Sequence, residues 1–263
     1  MKSKLITRRS LLRSGALGAA SLSLAGCKQF DSLSDQDNVV RRAVASMNNL
    51  TYRAQRLLIG RDRLAPEFTL ADIRQAQHPN GSTDPDTEEY LKLKADNFAG
   101  YRLNVTGLVD NPLTLSLDDL KALPSRTQIT RHDCVEGWST IAQWKGVSLR
   151  AVLEKAGVKA SGRYILFRCY DAFTTSLSGP DLYYETIDLV DAYHPQTILA
   201  YEMNDKPLPI ENGAPLRVRI ERQLGYKMAK YIKSIEVVTG FETVNGGNGG
   251  YWEDRGYDWY AGI

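Results

Sequence analysis

Apolar and polar residues alternate in short runs from Tyr101 onward, and residues that favour turns separate these runs. Such alternation is typical of half-buried β-strands, because successive side chains of a strand point to opposite faces of the sheet. The pattern predicts strands at residues 102–108, 127–132, 164–169, 197–204, 208–210, 216–221 and 232–238. Asp205-Lys206-Pro207 is expected to close a hairpin between the fourth and the fifth of these strands.

Helical signals are fewer and shorter. Ser116 and Ser148 are placed to act as N-caps of helices over residues 116–123 and 148–156, and Gly157 is expected to end the second helix. Weaker signals predict helical stretches at 39–59 and 88–98, with a loop between them at 78–87. Many short strands with few short helices predict an irregular, sheet-rich α+β fold.

Four parts of the chain differ in composition. Residues 1–26 are basic and then apolar, 27–100 are polar and weakly patterned, 101–240 carry the strand pattern, and 241–263 are rich in glycine and aromatic residues. We expect the second part to wrap over a domain formed by the third. The aromatic tail is expected to pack back on that domain, with the mouth of a site or a membrane partner as the alternative contacts.

The N-terminal segment is typical of an export signal and is set aside from the fold. Arg8-Arg9 matches a twin-arginine signal, which exports proteins that are already folded, and Leu24-Ala25-Gly26-Cys27 resembles a lipobox, whose cysteine is lipidated. An ordinary signal peptide is the alternative. The expected location is the periplasm or cell envelope, with the protein held on the membrane by a lipid on Cys27 after twin-arginine export.

Composition and charge narrow the class of protein. The chain has 263 residues, 43% hydrophobic and 24% charged, which suits one large or two small globular domains. Three cysteines are too few for a disulfide-dense miniprotein. The formal charge is +2, but residues 1–26 hold five cations and no acid, which leaves −3 for the rest. A mildly acidic body gives no reason to expect nucleic-acid binding.

Candidate chemistry is concentrated around one cysteine. The sequence has no phosphate-binding glycine loop, no serine nucleophile elbow and no haem-attachment motif, and His78, His132 and His194 lack metal-ligand spacing. Cys134, however, follows a predicted strand and enters a loop rich in Arg, His, Asp, Glu and Trp. Neighbouring cations are expected to lower its pKa toward the thiolate that binds metals. A buried structural thiol and a Cys134–Cys169 disulfide are the alternatives.

The segment Asp133-Cys134-Val135-Glu136-Gly137-Trp138-Ser139 resembles the molybdenum-ligand motif of the sulfite oxidase superfamily. The similarity continues through residues 144–149, 212–217 and 224–232, in the expected order, and covers roughly residues 100–240. Within the superfamily it is closest to the bacterial exported group that includes the periplasmic methionine sulfoxide reductases. The resemblance implies a sulfite-oxidase-type molybdopterin-binding fold and a molybdenum–molybdopterin cofactor.

The resemblance also implies roles for individual residues. Cys134 would be the protein ligand to molybdenum, since a thiolate suits a soft, redox-active metal. The residues implied to hold the pterin and its phosphate are Asn212, Arg217, Lys227, Met228, Ala229 and Lys230. Cys169 stands where the reductases carry a threonine near the cofactor, and Asn48, Asn49 and Tyr52 are weak matches to their N-terminal contacts. The substrate-side candidates are Arg131, His132 and Arg168.

The reaction implied is two-electron oxygen-atom transfer with a small oxo-donor or oxo-acceptor substrate: reduction of a sulfoxide or N-oxide, or oxidation of a sulfite-type molecule. The electrons would be exchanged with a separate partner, a membrane haem protein or a soluble cytochrome, since the chain has no haem or Fe–S motif of its own. Two alternatives stay open here: a sulfite dehydrogenase that uses a soluble cytochrome, and a non-enzymatic lipoprotein binding module with a Cys134–Cys169 disulfide.

Overall fold

The structure, a computed structural model, describes residues 39–74, 77–176 and 179–263. The expected export signal and Cys27 lie outside the described residues. The chain divides into two units, Met1–Thr51 and Tyr52–Ile263, and the sheets and the site described below belong to the second unit. Among the described residues, no helix combines the length and apolar character that crossing a membrane would require.

Five α-helices and ten β-strands occupy the described residues. The helices are α1 (Val39–Leu58), α2 (Glu88–Ala95), α3 (Leu117–Lys121), α4 (Leu149–Ala156) and α5 (Leu189–Ala192). The strands are β1 (Leu103–Gly107), β2 (Leu113–Leu115), β3 (Ser125–Asp133), β4 (Ser139–Ser148), β5 (Tyr164–Ser176), β6 (Gly179–Asp188), β7 (Ile198–Met203), β8 (Lys206–Pro207), β9 (Arg217–Arg219) and β10 (Ile232–Val238). The predicted α+β class with short strands and short helices is confirmed.

The strands form two five-stranded sheets. The first has the order β2-β1-β10-β5-β6, in which β1 and β10 run parallel and the other neighbours antiparallel. The second has the order β3-β4-β7-β8, with β9 also paired to β7. Because β3 and β4 are paired residue by residue from Ser125↔Val147 to Asp133↔Ser139, the loop between them is fixed at residues 134–138.

Alternating apolar side chains bury one continuous core. Leu103 and Val105 of β1 and Ile235 and Val237 of β10 are at most 1% exposed, as the alternation predicts for strands with one covered face. A smaller cluster, centred on Trp144 of β4, lies in the second sheet and comprises Ala142, Trp144, Ile198, Ala200, Met203 and Leu208.

The structure confirms most of the elements expected from the sequence, and β10 has the predicted bounds. Ser116 caps α3 as expected: its hydroxyl accepts a hydrogen bond from the Asp119 amide at 3.1 Å. Ser148 is the N-cap residue of α4 as expected, although its side chain makes no capping hydrogen bond. Gly157 ends α4 with φ +70°, a conformation that glycine adopts without steric cost.

Four strands were missed: β2, β4, β6 and β8. The last of these lies at Lys206–Pro207, where a turn was expected, and residues 208–210 form no strand, so both expectations are wrong. β4 begins with Ser139 and Thr140, and β6 begins with Gly179, Pro180 and Asp181, residues that favour turns in an isolated sequence. Pairing with neighbours already in the sheets overrides these local preferences. β5 is also longer than expected, because it continues past Cys169 through a polar stretch that pairs with β6.

The aromatic tail contacts the first sheet. Tyr251 stacks on Phe173 of β5 with ring centroids 4.8 Å apart, and the Trp259 indole N–H donates to the Thr186 hydroxyl of β6 at 2.8 Å. The segment before the sheets also adds to the domain: Glu67 forms a β-bridge with Thr130 of β3, and Tyr90 of α2 is fully buried. The tail and the segment before β1 thus both pack on the domain that the sheets form.

Candidate active site

Cys134 begins the tight loop that joins β3 to β4. Its amide donates to the Trp138 carbonyl at 2.9 Å, and the Gly137 amide donates to the Cys134 carbonyl at 3.1 Å. Gly137 has φ +89°, in the left-handed region that favours glycine. The paired strands thus hold the thiol at a fixed place, where it is 9% exposed and lines a cleft.

Segments from four parts of the chain meet at this cleft. The loop before α2 supplies Asn80, Gly81 and Ser82, and the loop after β3 supplies Cys134, Val135 and Glu136. The first sheet and the segment that leads into β10 contribute Asp171, Phe173, Tyr183, Tyr226, Met228 and Lys230. The aromatic tail contributes Trp252 and Tyr257.

One wall of the cleft is aromatic. Phe173 packs edge-on against Trp252 with centroids 5.4 Å apart, Trp252 stacks on Tyr257 at 5.4 Å, and Tyr226 packs edge-on against Tyr257 at 5.2 Å. Such pairs are rigid and largely apolar. Val135 and Tyr257 at the rim are 46% and 39% exposed, so the cleft can be reached from solvent.

Behind the cleft, Arg217 is buried without a carboxylate partner among the described residues. Its guanidinium donates to the carbonyls of Asn212 at 2.9 Å and Met228 at 3.4 Å and lies 5.0 Å from the Trp144 ring centre. Its Nε atom has no hydrogen-bond partner. Burial, together with the charge of Arg219, lowers the pKa of Arg217 to about 9.

Lys230 is a second buried cation and lines the cleft itself. Its ammonium donates to the carbonyls of Ser82 and Glu211, and it has no ion-pair partner in the described ranges. Burial and the charge of Arg217 lower the pKa of Lys230 to about 7. Gly213 allows this packing: it has φ +114°, and a Cβ there would lie 2.9 Å from the Lys230 Cβ.

These features fit the cofactor that the resemblance implies. Two buried cations without carboxylate partners favour an anion, and arginine binds phosphate through paired N–H groups. Cys134 adds a soft sulfur donor at the wall of the same cleft. The residues present are therefore suited to a phosphate-bearing pterin with a thiophilic metal.

Burial raises the pKa of Cys134, so the expectation that neighbouring cations lower it is wrong. The nearest cation in sequence, Arg131, turns away and pairs with Asp133 at 2.9 Å. Both Cys134 and Cys169 are free thiols, which overturns the disulfide alternative. Cys169 is fully buried in the core and does not line the cleft.

Three other predicted site residues lie outside the cleft. Arg131 is half exposed and lines a separate surface groove, and Arg168 is exposed and pairs with Glu236 at 3.7 Å. Lys227 is fully buried between the carboxylates of Glu185 and Glu253, so its charge is already neutralised within the protein. The geometry therefore supports neither a substrate contact for the two arginines nor a phosphate contact for Lys227.

His132 is buried behind the cleft rather than in it. Arg219 lies 2.7 Å from its Nδ1, and burial together with the nearby cations lowers its pKa well below the usual range. The ring packs under Gly225, where a Cβ would lie 2.4 Å from Nε2. The neutral His132 ring accepts a hydrogen bond from Arg219 and, by packing under Gly225, positions the turn that leads to Met228.

The sequence did not indicate several residues of the cleft, among them Asp171 and Tyr183. Asp171 lies two residues after the predicted strand at 164–169, which was the available signal. Of the weak N-terminal matches, Asn48 and Asn49 have side chains outside those described, and the Tyr52 hydroxyl donates to Asp188 at 2.8 Å, away from the cleft. Asn80 instead lies at the cleft, with its amide 3.4 Å from the Gly225 carbonyl.

Comparison with known proteins identifies relatives of this chain. The family model described as the oxidoreductase molybdopterin-binding domain matches residues 90–243. A protein of Azospira oryzae with the provisional name protein-methionine-sulfoxide reductase subunit is 35% identical over 260 residues, 98% of this chain and 89% of its own length. The protein-methionine-sulfoxide reductase catalytic subunit of Xanthomonas campestris pv. campestris is 31% identical over 245 residues, 88% of this chain and 70% of its own. Among solved structures, the sulfane dehydrogenase SoxCD from Paracoccus pantotrophus aligns with 54% of this chain and 39% of its own, at 22% identity and a TM-score of 0.47.

The chain belongs to the family of oxidoreductases with a molybdopterin-binding domain. The resemblance inferred from the segments around Cys134, Arg217 and Lys230 is thereby confirmed. The protein is an oxidoreductase, and the alternative of a non-enzymatic binding module is wrong.

Proposed function

We propose that this protein is an exported, lipid-anchored molybdenum–molybdopterin enzyme that reduces methionine sulfoxide in proteins with electrons from a separate partner. The observation that carries the proposal is the cleft itself, which is lined by the Cys134 thiol, the buried cation Lys230 and an aromatic wall. The named activity of two relatives supports the choice of a sulfoxide over other oxo-donors.

A sulfoxide takes up two electrons and two protons, its sulfur–oxygen bond breaks, and the products are a thioether and water. When bound, the molybdenum cofactor supplies the two-electron redox centre. Arg217, Lys230 and the backbone of Met228 and Ala229 would hold its phosphate, and Cys134 would provide the sulfur ligand.

The aromatic wall suits a methionine side chain. The thioether sulfur of methionine packs favourably against aromatic rings, so such rings suit the side chain that the reaction produces. Phe173, Trp252 and Tyr257 offer such rings at the cleft. Because the rim is exposed at Val135 and Tyr257, a methionine sulfoxide on the surface of another protein could enter.

The proposal includes a separate electron donor, a membrane haem protein or a soluble cytochrome. The chain has only three cysteines, which is fewer than a four-cysteine iron–sulfur cluster requires, and the sequence lacks a haem-attachment motif. A lipid on Cys27 would hold the enzyme near a donor in the membrane.

The test is a substrate comparison on full-length, molybdenum-loaded protein. Reduced benzyl viologen serves as donor for free methionine sulfoxide, an oxidised protein, dimethyl sulfoxide and trimethylamine N-oxide, and ferricyanide serves as acceptor for sulfite. We expect dye oxidation with the methionine sulfoxides, and its loss in Cys134→Ser. Sulfite oxidation without sulfoxide reduction would replace the proposal with the sulfite dehydrogenase alternative.

A further inference from the structure

Asp171 lies at an irregular point of β5, beside the cleft. The pairing of β5 with β6 is regular from Tyr164 to Arg168 and resumes only at Ala172, so Asp171 falls in the interruption. Interruptions of this kind re-aim side chains and are common next to active sites. Here the interruption places a carboxyl group among the residues that line the cleft with Cys134 and Lys230.

The carboxyl group is buried and only half satisfied. Asp171 is 3% exposed, and its Oδ2 accepts a hydrogen bond from the Ser82 hydroxyl at 2.6 Å. Its Oδ1 is buried and has no hydrogen-bond partner. A buried carboxylate with an unpartnered oxygen is unfavourable, whereas a protonated carboxyl can donate to a group that enters the cleft.

The groups around Asp171 permit it to hold a proton near neutral pH. Burial raises its pKa to about 6, and the Ser82 hydrogen bond and the charge of Lys230 oppose that rise. The other titratable groups that face it are Cys169 of its own strand, Tyr90 of α2, Tyr183 of β6, Tyr231 before β10 and Tyr251 of the tail. Each of these five has a raised pKa and stays neutral, so Lys230 is the charge that matters.

Three other proton carriers of the cleft, Tyr183, Tyr226 and Glu136, are engaged in hydrogen bonds with the protein. The Tyr183 hydroxyl donates to the Tyr226 carbonyl, and the Tyr226 hydroxyl donates to the Asp258 carbonyl at 2.7 Å. Glu136 is exposed and accepts from the Trp138 indole at 2.8 Å. Asp171 combines burial, a place in the cleft and an oxygen without a partner.

We propose that Asp171 is a catalytic general acid that donates the proton of its carboxyl group to the sulfoxide oxygen. This inference rests on the proposed sulfoxide reduction. As the sulfur–oxygen bond breaks, the oxygen takes one proton from Asp171 and a second from solvent and leaves as water, while the partner supplies the two electrons. Solvent reprotonates the carboxylate before the next turnover.

The test measures kcat for methionine sulfoxide, with reduced benzyl viologen as donor, over a range of pH. It compares the wild type with Asp171→Asn and Ser82→Ala. The wild-type kcat should fall as the pH rises above the pKa of Asp171. Asp171→Asn should lower kcat by about a hundredfold to ten-thousandfold and remove this dependence. Ser82→Ala should move the descending limb to higher pH, because the hydrogen bond that it removes favours the ionised carboxylate.

A readout besides activity is the infrared titration of the carboxyl group, in which the band of the protonated acid should be absent from Asp171→Asn. Molybdenum and pterin contents should be unchanged in both variants. Three outcomes would overturn the inference while the wild type remains a sulfoxide reductase. They are a descending limb of the pH profile that survives in Asp171→Asn, a limb that does not move in Ser82→Ala, and a loss of pterin in Asp171→Asn. A wild type without sulfoxide reduction would overturn the proposed function and this inference together.

Discussion

The ammonium of Lys227 and the carboxylate of Glu253 form an ion pair in which both side chains are buried. Glu253 belongs to the aromatic tail, next to Trp252 of the cleft wall, and Lys227 also pairs with Glu185 of β6. The ion pair therefore fastens the tail to the first sheet and holds one wall of the cleft in place.

Lys227→Met should destabilise the protein by about 3–5 kcal/mol, because it leaves two buried carboxylates without their cation. Burial and the charge of Glu253 already raise the pKa of Glu185. Because the unpaired carboxylates become charged as the pH rises, the loss of unfolding free energy should grow with pH. Urea unfolding measures the effect. The matched control is Lys233→Met, whose exposed pair with Glu89 should contribute less than about 1 kcal/mol. Equal losses in the two variants would show that the tail is not held by this pair.

The two free thiols should respond differently to substitution by serine. Cys134→Ser replaces the proposed metal ligand, so activity should fall by orders of magnitude while pterin content and unfolding free energy change little. Cys169→Ser places a hydroxyl in the fully buried core and should lower the unfolding free energy by about 1–3 kcal/mol while activity remains. Assay, pterin content and urea unfolding of both variants check this. Unchanged activity in Cys134→Ser would contradict the ligand assignment.

Arg217 and Arg219 offer a crossed comparison, since both are buried on β9 and both lie over Trp144. Arg219 pairs with the buried Glu221 at 2.7 Å, so Arg219→Met should destabilise by about 3–5 kcal/mol. Arg217 has no such partner, so Arg217→Met should lose less stability but more bound pterin. Unfolding of pterin-free protein and pterin content of loaded protein measure the two effects. The reverse order in either measurement would count against a phosphate role for Arg217.

Strand periodicity was sufficient to predict β10 and the place of Cys134, because both depend on neighbours in sequence. It could not separate Lys227 from Lys230, which lie three residues apart in one matched segment. The difference arises from partners that are distant in sequence: Glu185 and Glu253 neutralise Lys227, whereas Lys230 contacts two carbonyl groups. Because β6 was missed, its residues Tyr183 and Glu185 could not be anticipated either.

The export proposal is tested on the precursor, in residues outside those that the structure describes. Arg8→Lys with Arg9→Lys should leave the protein in the cytoplasm, because the guanidinium pair is the feature of the signal that is read. Cys27→Ser should release a soluble mature protein, since it removes the site of lipidation. Cell fractionation followed by immunoblotting measures both. Normal delivery of the double variant, or membrane retention of Cys27→Ser, would contradict the respective signal.

The stability of the pterin-free protein should depend on the ionisation of Asp171. Its pKa rises from 3.8 to about 6 on folding, so the folded protein keeps this proton to higher pH than the unfolded chain. The stabilising contribution is complete below the unfolded pKa and is lost as the pH rises to about 6. Asp171→Asn cannot ionise, so its stability relative to the wild type should increase over this range by about 3 kcal/mol.

Urea unfolding of both proteins between about pH 4 and pH 8 measures this difference. His132, whose pKa is lowered by burial, makes stability fall as the pH drops, but it does so in both proteins and cancels in the comparison. The control is Asp181→Asn on the neighbouring strand, an exposed partner of Arg255, which should change stability by less than about 1 kcal/mol. A difference between Asp171→Asn and wild type that stays constant with pH would mean that folding does not raise this pKa.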